Sequence, residues 1–245
     1  MAPIRLAILE ADVLAPTTAA RYSNYTGLFT SLLTSALAPS ALAPRFAIAR
    51  HHIFKDTSAY PALEDVDAVL VTGSKQSAYQ DDEWILALVD YVRRAIEGGR
   101  VRVVGVCFGH QIVGRAMGVG VGVSEAGWEL AVTEVDLSEE GKKVFGLEKM
   151  RIHQVHRDEV KSVPPNIHAL ASTPSCPVQA MCLPGRYLTI QGHPEFTEDI
   201  VREIADRQHG MGSVSDELYE DAIRRVGLEH DGVAIARAFV KFLEE

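Results

Sequence analysis

Two short stretches of this sequence could do nucleophilic chemistry: Val103-Val104-Gly105-Val106-Cys107-Phe108-Gly109-His110-Gln111 and, further on, Gln191-Gly192-His193-Pro194-Glu195. An apolar run entering Gly-x-Cys-x-Gly is the thiol counterpart of the Gly-x-Ser-x-Gly nucleophile elbow. In that turn the residues two before and two after the nucleophile approach each other, which is why glycine stands at both. The Cys107 side chain would then sit at the carboxyl edge of a sheet beside a helix N-terminus, where amides and dipole favour a thiolate. The N–H of Phe108 is placed to stabilise an oxyanion. The other reading of Cys107 is a small buried residue at a strand–helix junction.

A thiol nucleophile needs a base. Residues i and i+2 of an extended segment face the same side, so His193 and Glu195 can meet, and Pro194 limits the rotation that would part them. The chemistry is then attack of a thiolate on an acyl carbon. His193 serves as base and later acid, and Glu195 orients the imidazole and stabilises its cation. His193-Pro194-Glu195 alone could equally be a surface turn; the order Cys…His-x-Glu after an elbow is the more specific signal.

The elements around these residues read as α/β. Apolar runs at Ile4 to Leu9, Phe46 to Arg50, Asp67 to Val71 and Val101 to Val106 read as strands. Between them lie a helical spacing over Thr17 to Leu37, stopped by Pro39, and an amphipathic helix bearing Trp84, Ile85, Leu88, Val89, Val92 and Ile96. Asp81, Asp82 and Glu83 suit the start of that helix and Gly98-Gly99 its end. A further helix starts at Gln111 and runs to Met117. This alternation predicts a mostly parallel central sheet with helices on both faces, a flavodoxin-like three-layer sandwich. Short runs at Ala131 to Leu137, Arg151 to Val155, Ala169 to Ser172, Val178 to Leu183 and Tyr187 to Gln191 predict a small antiparallel extension. C-terminal helices are expected near Asp199 to Arg207, Ser215 to Val226 and Val233 to Leu243. No linker divides the chain, so residues 1–245 read as one domain.

Composition narrows the function classes. The chain has 245 residues, 47% hydrophobic and 23% charged, with a formal charge of −9. An acidic balance argues against a nucleic-acid or anionic-membrane surface. Apolar runs break well before the ~20 residues of a membrane span. The N-terminus enters a strand-like run with no signal-peptide pattern, and the three cysteines are too few for a disulfide framework, so a reducing, cytoplasmic setting is the simpler reading. Cys176 and Cys182 lack a local base and read as structural; His51, His52 and His110 read as surface or packing residues. His153, His156 and Asp158 could ligate a metal by residue type, but no further Cys or His partner is suggested by spacing, so neither metal nor other cofactor is expected.

Taken together, Gly105 to Gln111, Gln191 to Glu195, Gly127-Trp128-Glu129, His153 to Val160 and Val71-Thr72-Gly73-Ser74 resemble the class I (triad-type) glutamine amidotransferase domain, in order and spacing over about residues 65 to 200. The resemblance implies that Cys107, His193 and Glu195 form a triad that cleaves a γ-glutamyl amide through a thioester. It also implies an oxyanion hole of the Phe108 and Gly73 N–H groups, Gly73-Ser74 standing where many members have Gly-Gly. Gln111 and the Gly127-Trp128 loop would hold the glutamyl α-amino and carboxyl groups, although Trp128 could simply pack its loop. His156 and Asp158 resemble a supporting segment near the site mouth of GMP synthetase glutaminases, with Arg157 in place of a glycine.

The segment Thr72 to Ile85 is similar to a stand-alone, GMP-synthase-like branch that includes plant γ-glutamyl peptidases. No Gly-x-x-x-x-Gly-Lys-[Ser/Thr] loop is present, nor any ATP-binding synthase region. Three functions follow: a hydrolase of glutamine, glutathione or a glutathione conjugate; a glutaminase subunit supplying ammonia to a separate synthase partner; or a binding protein that keeps the fold without turnover. The polar loop Ser74 to Asp82 is a candidate lid.

Overall fold

The computed structural model describes residues 2–43 and 45–245, so Met1 and Pro44 lie outside the description. The chain runs β1 (Ile4–Glu10), α1 (Pro16–Tyr22), α2 (Tyr25–Leu37), β2 (Phe46–His52), β3 (Ala68–Val71), α3 (Glu83–Gly98), β4 (Arg102–Val106) and α4 (Phe108–Ala116). Then follow β5 (Val121–Val123), β6 (Glu129–Leu137), α5 (Glu139–Phe145), β7 (Met150–His156) and β8 (Asp158–Val160). The rest is β9 (Ala169–Ser172), β10 (Ala180–Leu183), β11 (Tyr187–Ile190), α6 (Glu198–Gly210), α7 (Asp216–Arg225) and α8 (Gly232–Glu244).

Nine strands form one mixed sheet in the order β2-β1-β3-β4-β11-β10-β9-β6-β7. Its first five strands are parallel to one another. The remaining strands add on in antiparallel steps, and β5 with β8 makes a separate antiparallel pair. The parallel strands are buried on both faces: Leu6 and Ile8 pack into one apolar layer, Ala7 and Leu9 into the other. That is why they read as unbroken apolar runs. One layer lies under α2, α6 and α8, the other under α3 and α4.

Register places the site. Val71 of β3 pairs with Gly105 of β4, and Ile190 of β11 with Val106. The three adjacent strands therefore deliver Gly73, Cys107 and His193 to one stretch of the sheet's carboxyl edge, where open α/β sheets bind ligands.

The expected single helix over Thr17 to Leu37 is instead two. Ser23 takes φ 67°, and the Asn24 side chain accepts from the Gly27 N–H at 3.0 Å, capping a new start. The fourth helix begins at Phe108, earlier than its expected start at Gln111, because Cys107 itself is the residue before the first turn.

Candidate active site

Cys107 takes φ 52° and ψ −105°, a conformation that a non-glycine residue adopts only when the surroundings enforce it. The enforcement is visible on both sides. A Cβ built on Gly105 would lie 2.6 Å from the Gly109 carbonyl oxygen, and one on Gly109 only 2.2 Å from that of Val71. Only glycine allows strand, turn and helix to approach this closely. The Cys107 N–H donates to the Ile190 carbonyl at 2.9 Å, tying the elbow to β11.

His193 and Glu195 leave β11 on its site side. The His193 Nδ1–H donates to Glu195 Oε1 at 2.8 Å, and both residues are buried. The ring stacks on Phe196 with centroids 3.9 Å apart and planes 2° from parallel, which fixes its orientation. With Nδ1 on Glu195, Nε2 is the nitrogen left for a thiol. Burial opposes charge on the imidazole, but Glu195 and then Cys107 outweigh it and raise the ring from 6.5 to about 10. The arrangement thus favours a protonated imidazole beside Cys107 and Glu195 and can activate a sulfur nucleophile.

This turn is braced from outside. The His193 N–H donates to the His153 carbonyl on β7 at 2.8 Å. Gly232, at the start of α8, lies so near that a Cβ there would come 2.3 Å from the Pro194 carbonyl oxygen.

Gly73 faces the same gap: a Cβ on it would lie 2.8 Å from His193 Cε1 and 3.7 Å from Cys107 Cβ. Among the described residues neither the Gly73 nor the Phe108 N–H finds an acceptor, so both are available to an oxyanion. The loop after Gly73 is fastened at both ends. Asp12, buried beyond β1, accepts the Lys75 N–H at 2.7 Å and its ammonium at 3.0 Å. Arg115 of α4 donates to the Ala78 and Gln80 carbonyls and to Asp81. Those bonds oppose the hinged movement that a lid over Ser74 to Asp82 would need.

The residues expected to hold a glutamyl head border one cleft of about 470 Å³, lined by Cys107, Gln111, Trp128, His156, Asp158 and His193 among others. Gly127 precedes Trp128 with φ +83°. Both N–H donors of the Gln111 amide are already used, on the Asp158 carbonyl at 2.9 Å and Gln191 Oε1 at 3.1 Å. Gln111 can therefore offer a ligand only its oxygen, which suits an ammonium and not a carboxylate. His156 donates from Nδ1 to the Asp158 carbonyl at 3.1 Å and places Nε2 3.0 Å from Glu129 Oε2.

Glu129, His156 and Cys176 bring donor atoms within 4.8 Å of one another, a different set from the His153, His156 and Asp158 considered on residue type. Both Glu129 oxygens are occupied by Thr173 at 2.7 Å and Gln179 at 2.6 Å, and burial pushes the Cys176 thiol well up. A thiol kept protonated and a carboxylate already accepting a hydrogen bond on each oxygen are poorly suited to a metal.

Tyr25, Phe196, Arg207 and Met211 also line the cleft and carried no chemical signal in the sequence. Tyr25 and Arg207 lie within periodic helical segments, where spacing marks them as ordinary face residues. His110 is a packing residue, its Nδ1 2.8 Å from Thr189 Oγ1 and its Nε2 3.0 Å from the Val178 carbonyl.

Histidine burial has a thermodynamic consequence. Burial lowers His110 from 6.5 to about 3; for His153 burial, then His230 and His193, have the same result. The unfolded chain takes up these protons below about pH 6.5, whereas the folded chain resists until about pH 3. Their stabilisation is thus complete above pH 6.5 and is lost as pH falls from there. His193 behaves oppositely, its contribution present below 6.5 and lost as pH rises towards 10. A melting series from about pH 7.5 to 4.5 should show Tm falling, with a shallower fall for His110→Gln. Equal slopes for variant and parent would contradict a neutral His110.

Cys107 at a strand–helix elbow and a His-Glu pair on the neighbouring parallel strand stand at the carboxyl edge of a mixed sheet covered by helices. Comparison with known proteins places that fold in a family. The family described as Glutamine amidotransferase class-I matches residues 34–202, and the chain belongs to that family. It is 34% identical to a glutamine amidotransferase-like protein of Schizosaccharomyces pombe over 244 residues, 98% of each chain. It is 34% identical to gamma-glutamyl peptidase 4 of Arabidopsis thaliana over 164 residues, 64% of this chain and 65% of the relative. Among solved structures, a glutamine amidotransferase from Thermotoga maritima superposes with TM-score 0.71 over 100% of both chains at 13% identity, a likeness of fold. Among the described residues no helix is long and apolar enough to cross a membrane.

Proposed function

We propose that the protein is a cysteine-dependent hydrolase of γ-glutamyl amides. The observation that carries this reading is the 2.8 Å His193–Glu195 pair beside a cysteine held in a strained elbow. Cys107 sulfur attacks the γ-carbonyl carbon, and the carbonyl electrons move to an oxygen held by the Gly73 and Phe108 N–H groups. When the tetrahedral species collapses, the C–N bond breaks and His193 delivers its proton to the departing amine. The product is a γ-glutamyl thioester on Cys107. Neutral His193 then takes a proton from water, whose oxygen attacks the thioester, and glutamate leaves as the sulfur recovers its electron pair. Glu195 holds the ring in one tautomer throughout.

Relatives named gamma-glutamyl peptidases support hydrolysis as the outcome. The test is glutamate release, followed by mass spectrometry, with glutamine, glutathione and an S-alkyl glutathione offered in parallel. Hydroxylamine should divert part of the product to γ-glutamyl hydroxamate by intercepting the thioester. Folded protein that releases no glutamate from any of the three would refute the proposal.

A further inference from the structure

The cleft holds an excess of unpaired positive charge in a protein of net charge −9. Arg157 and Arg207 both line it. Among the described residues these two guanidinium groups make no hydrogen bond or ion pair. Every other arginine in the chain is engaged by a carboxylate or a carbonyl. Arg157 leans over the Trp128 ring at 6.0 Å, whereas half-buried Arg207 projects from α6 on the stretch that also brings Met211 to the cleft. Lys75 is already neutralised by Asp12. Asp158 is the sole carboxylate among the lining residues, and its Oδ1 is buried without a hydrogen-bond partner.

Unpaired charges at a cleft describe what is missing from it. Two guanidinium groups and one carboxylate complement a ligand with two carboxylates and one ammonium. A glutamine molecule has one of each and would leave one guanidinium unanswered. A γ-glutamyl peptide with a free C-terminal carboxylate supplies the full set. Asp158 and the Gln111 oxygen are both acceptors, and Arg157 adjoins Asp158, so these three form the zwitterion-binding end. Arg207 stands on a different element with no acid lining residue beside it in sequence.

Resting on the γ-glutamyl reading above, we propose that Arg207 determines substrate choice by binding the carboxylate of the leaving group, so that the preferred substrates are γ-glutamyl peptides with a free C-terminal carboxylate. Planar, bidentate guanidinium recognition suits such a group.

The test compares γ-glutamylglycine with γ-glutamylglycinamide, which differ only in that carboxylate. The readout is the ratio of their kcat/KM values, independent of how much protein is folded. Arg207→Gln should lower the ratio by about tenfold or more, as expected for losing a charge-assisted hydrogen bond. Arg207→Lys should restore part of it, and Arg157→Gln should leave it near the parent value while weakening both substrates. An unchanged ratio in Arg207→Gln, or a ratio that moves with Arg157 instead, overturns the assignment. Binding of the same pair to Cys107→Ala protein, with Arg or Gln at 207, is followed by tryptophan fluorescence. If the parent enzyme cleaves neither compound, the binding ratio decides the role of Arg207 alone, and the glutamate-release assay above decides the hydrolase reading. Absence of binding by either compound also overturns it.

Discussion

Cys107→Gly and Cys107→Ala are both expected to lower turnover by roughly 10⁵-fold or more, the scale seen when a nucleophile of a triad is deleted. Their stabilities should nevertheless part in an unusual direction. Glycine ordinarily makes a chain less stable than alanine by ~0.4–1 kcal/mol, because the unfolded state gains freedom. At φ 52° and ψ −105° the backbone of residue 107 carries strain, of order 1–3 kcal/mol for such conformations. Alanine keeps that strain and glycine releases it. The glycine variant should therefore be the more stable of the two by about 1 kcal/mol. Urea midpoints measured on both variants check this; an alanine variant more stable than the glycine one by the ordinary ~0.4–1 kcal/mol would show that the elbow stores nothing.

The second large effect is expected from Gly109→Ala. A Cβ there would sit 2.2 Å from the Val71 oxygen and 2.9 Å from the Val71 carbonyl carbon. The obstacle is backbone of a central strand, not the end of a flexible side chain. Either β3 or α4 must move, and the loss should reach about 3 kcal/mol or more, at the upper end for overpacking. Movement of β3 carries Thr72 and Gly73 with it, so kcat should fall even in the fraction that folds. Gly98→Ala is the fitting comparison: no atom lies within 4 Å of its Cβ, and alanine favours a helix by ~0.5–1 kcal/mol. Thermal melts and single-turnover rates on the two variants separate the effects. A Gly109→Ala protein with parental Tm and rate would mean that the close approach is not required.

What could be read from the sequence follows from how locally each feature is encoded. The elbow is local: two glycines flank a cysteine between an apolar strand and a helix. The parallel strands are local too, because burial on both faces leaves an unbroken apolar run such as Val103 to Val106. Adjacency of β4 and β11 is not local: spacing alone groups Tyr187 to Gln191 with the antiparallel strands, whereas β11 pairs in parallel with β4. By contrast, β5 and β8 span three residues each, too few to show a period. The short helix α5 had a legible start, with Ser138 accepting from the Gly141 N–H at 3.1 Å, and a legible end at Gly146, φ 68°. Between those caps the segment holds few apolar residues, so it shows no helical period. The break at Asn24 lost to the apolar spacing that continues across it. Tyr25 and Arg207 were hidden for a different reason: nothing in a helical spacing distinguishes the face that meets a cleft from the face that meets a core or solvent.

The contact of Gly232 with the Pro194 carbonyl bears on how the chain can be divided. Residues 34–202 are the stretch matched by the family, and every proposed reacting side chain falls inside it. One of the two braces on the His193 turn does not. It arrives from the first residue of α8, whose own anchorage includes Asp231 accepting the Arg151 N–H at 2.7 Å and donating its N–H to the Arg151 carbonyl at 2.7 Å. A fragment cut after residue 202 would keep Cys107, His193, Glu195 and the Phe196 ring on which the imidazole stacks, and lose the backing of the Pro194 carbonyl by α8. The folded unit around the His193 turn is in this sense longer than the sequence motif: the last helix backs it as a fixed stop, so shortening the chain from its end loosens it near its centre.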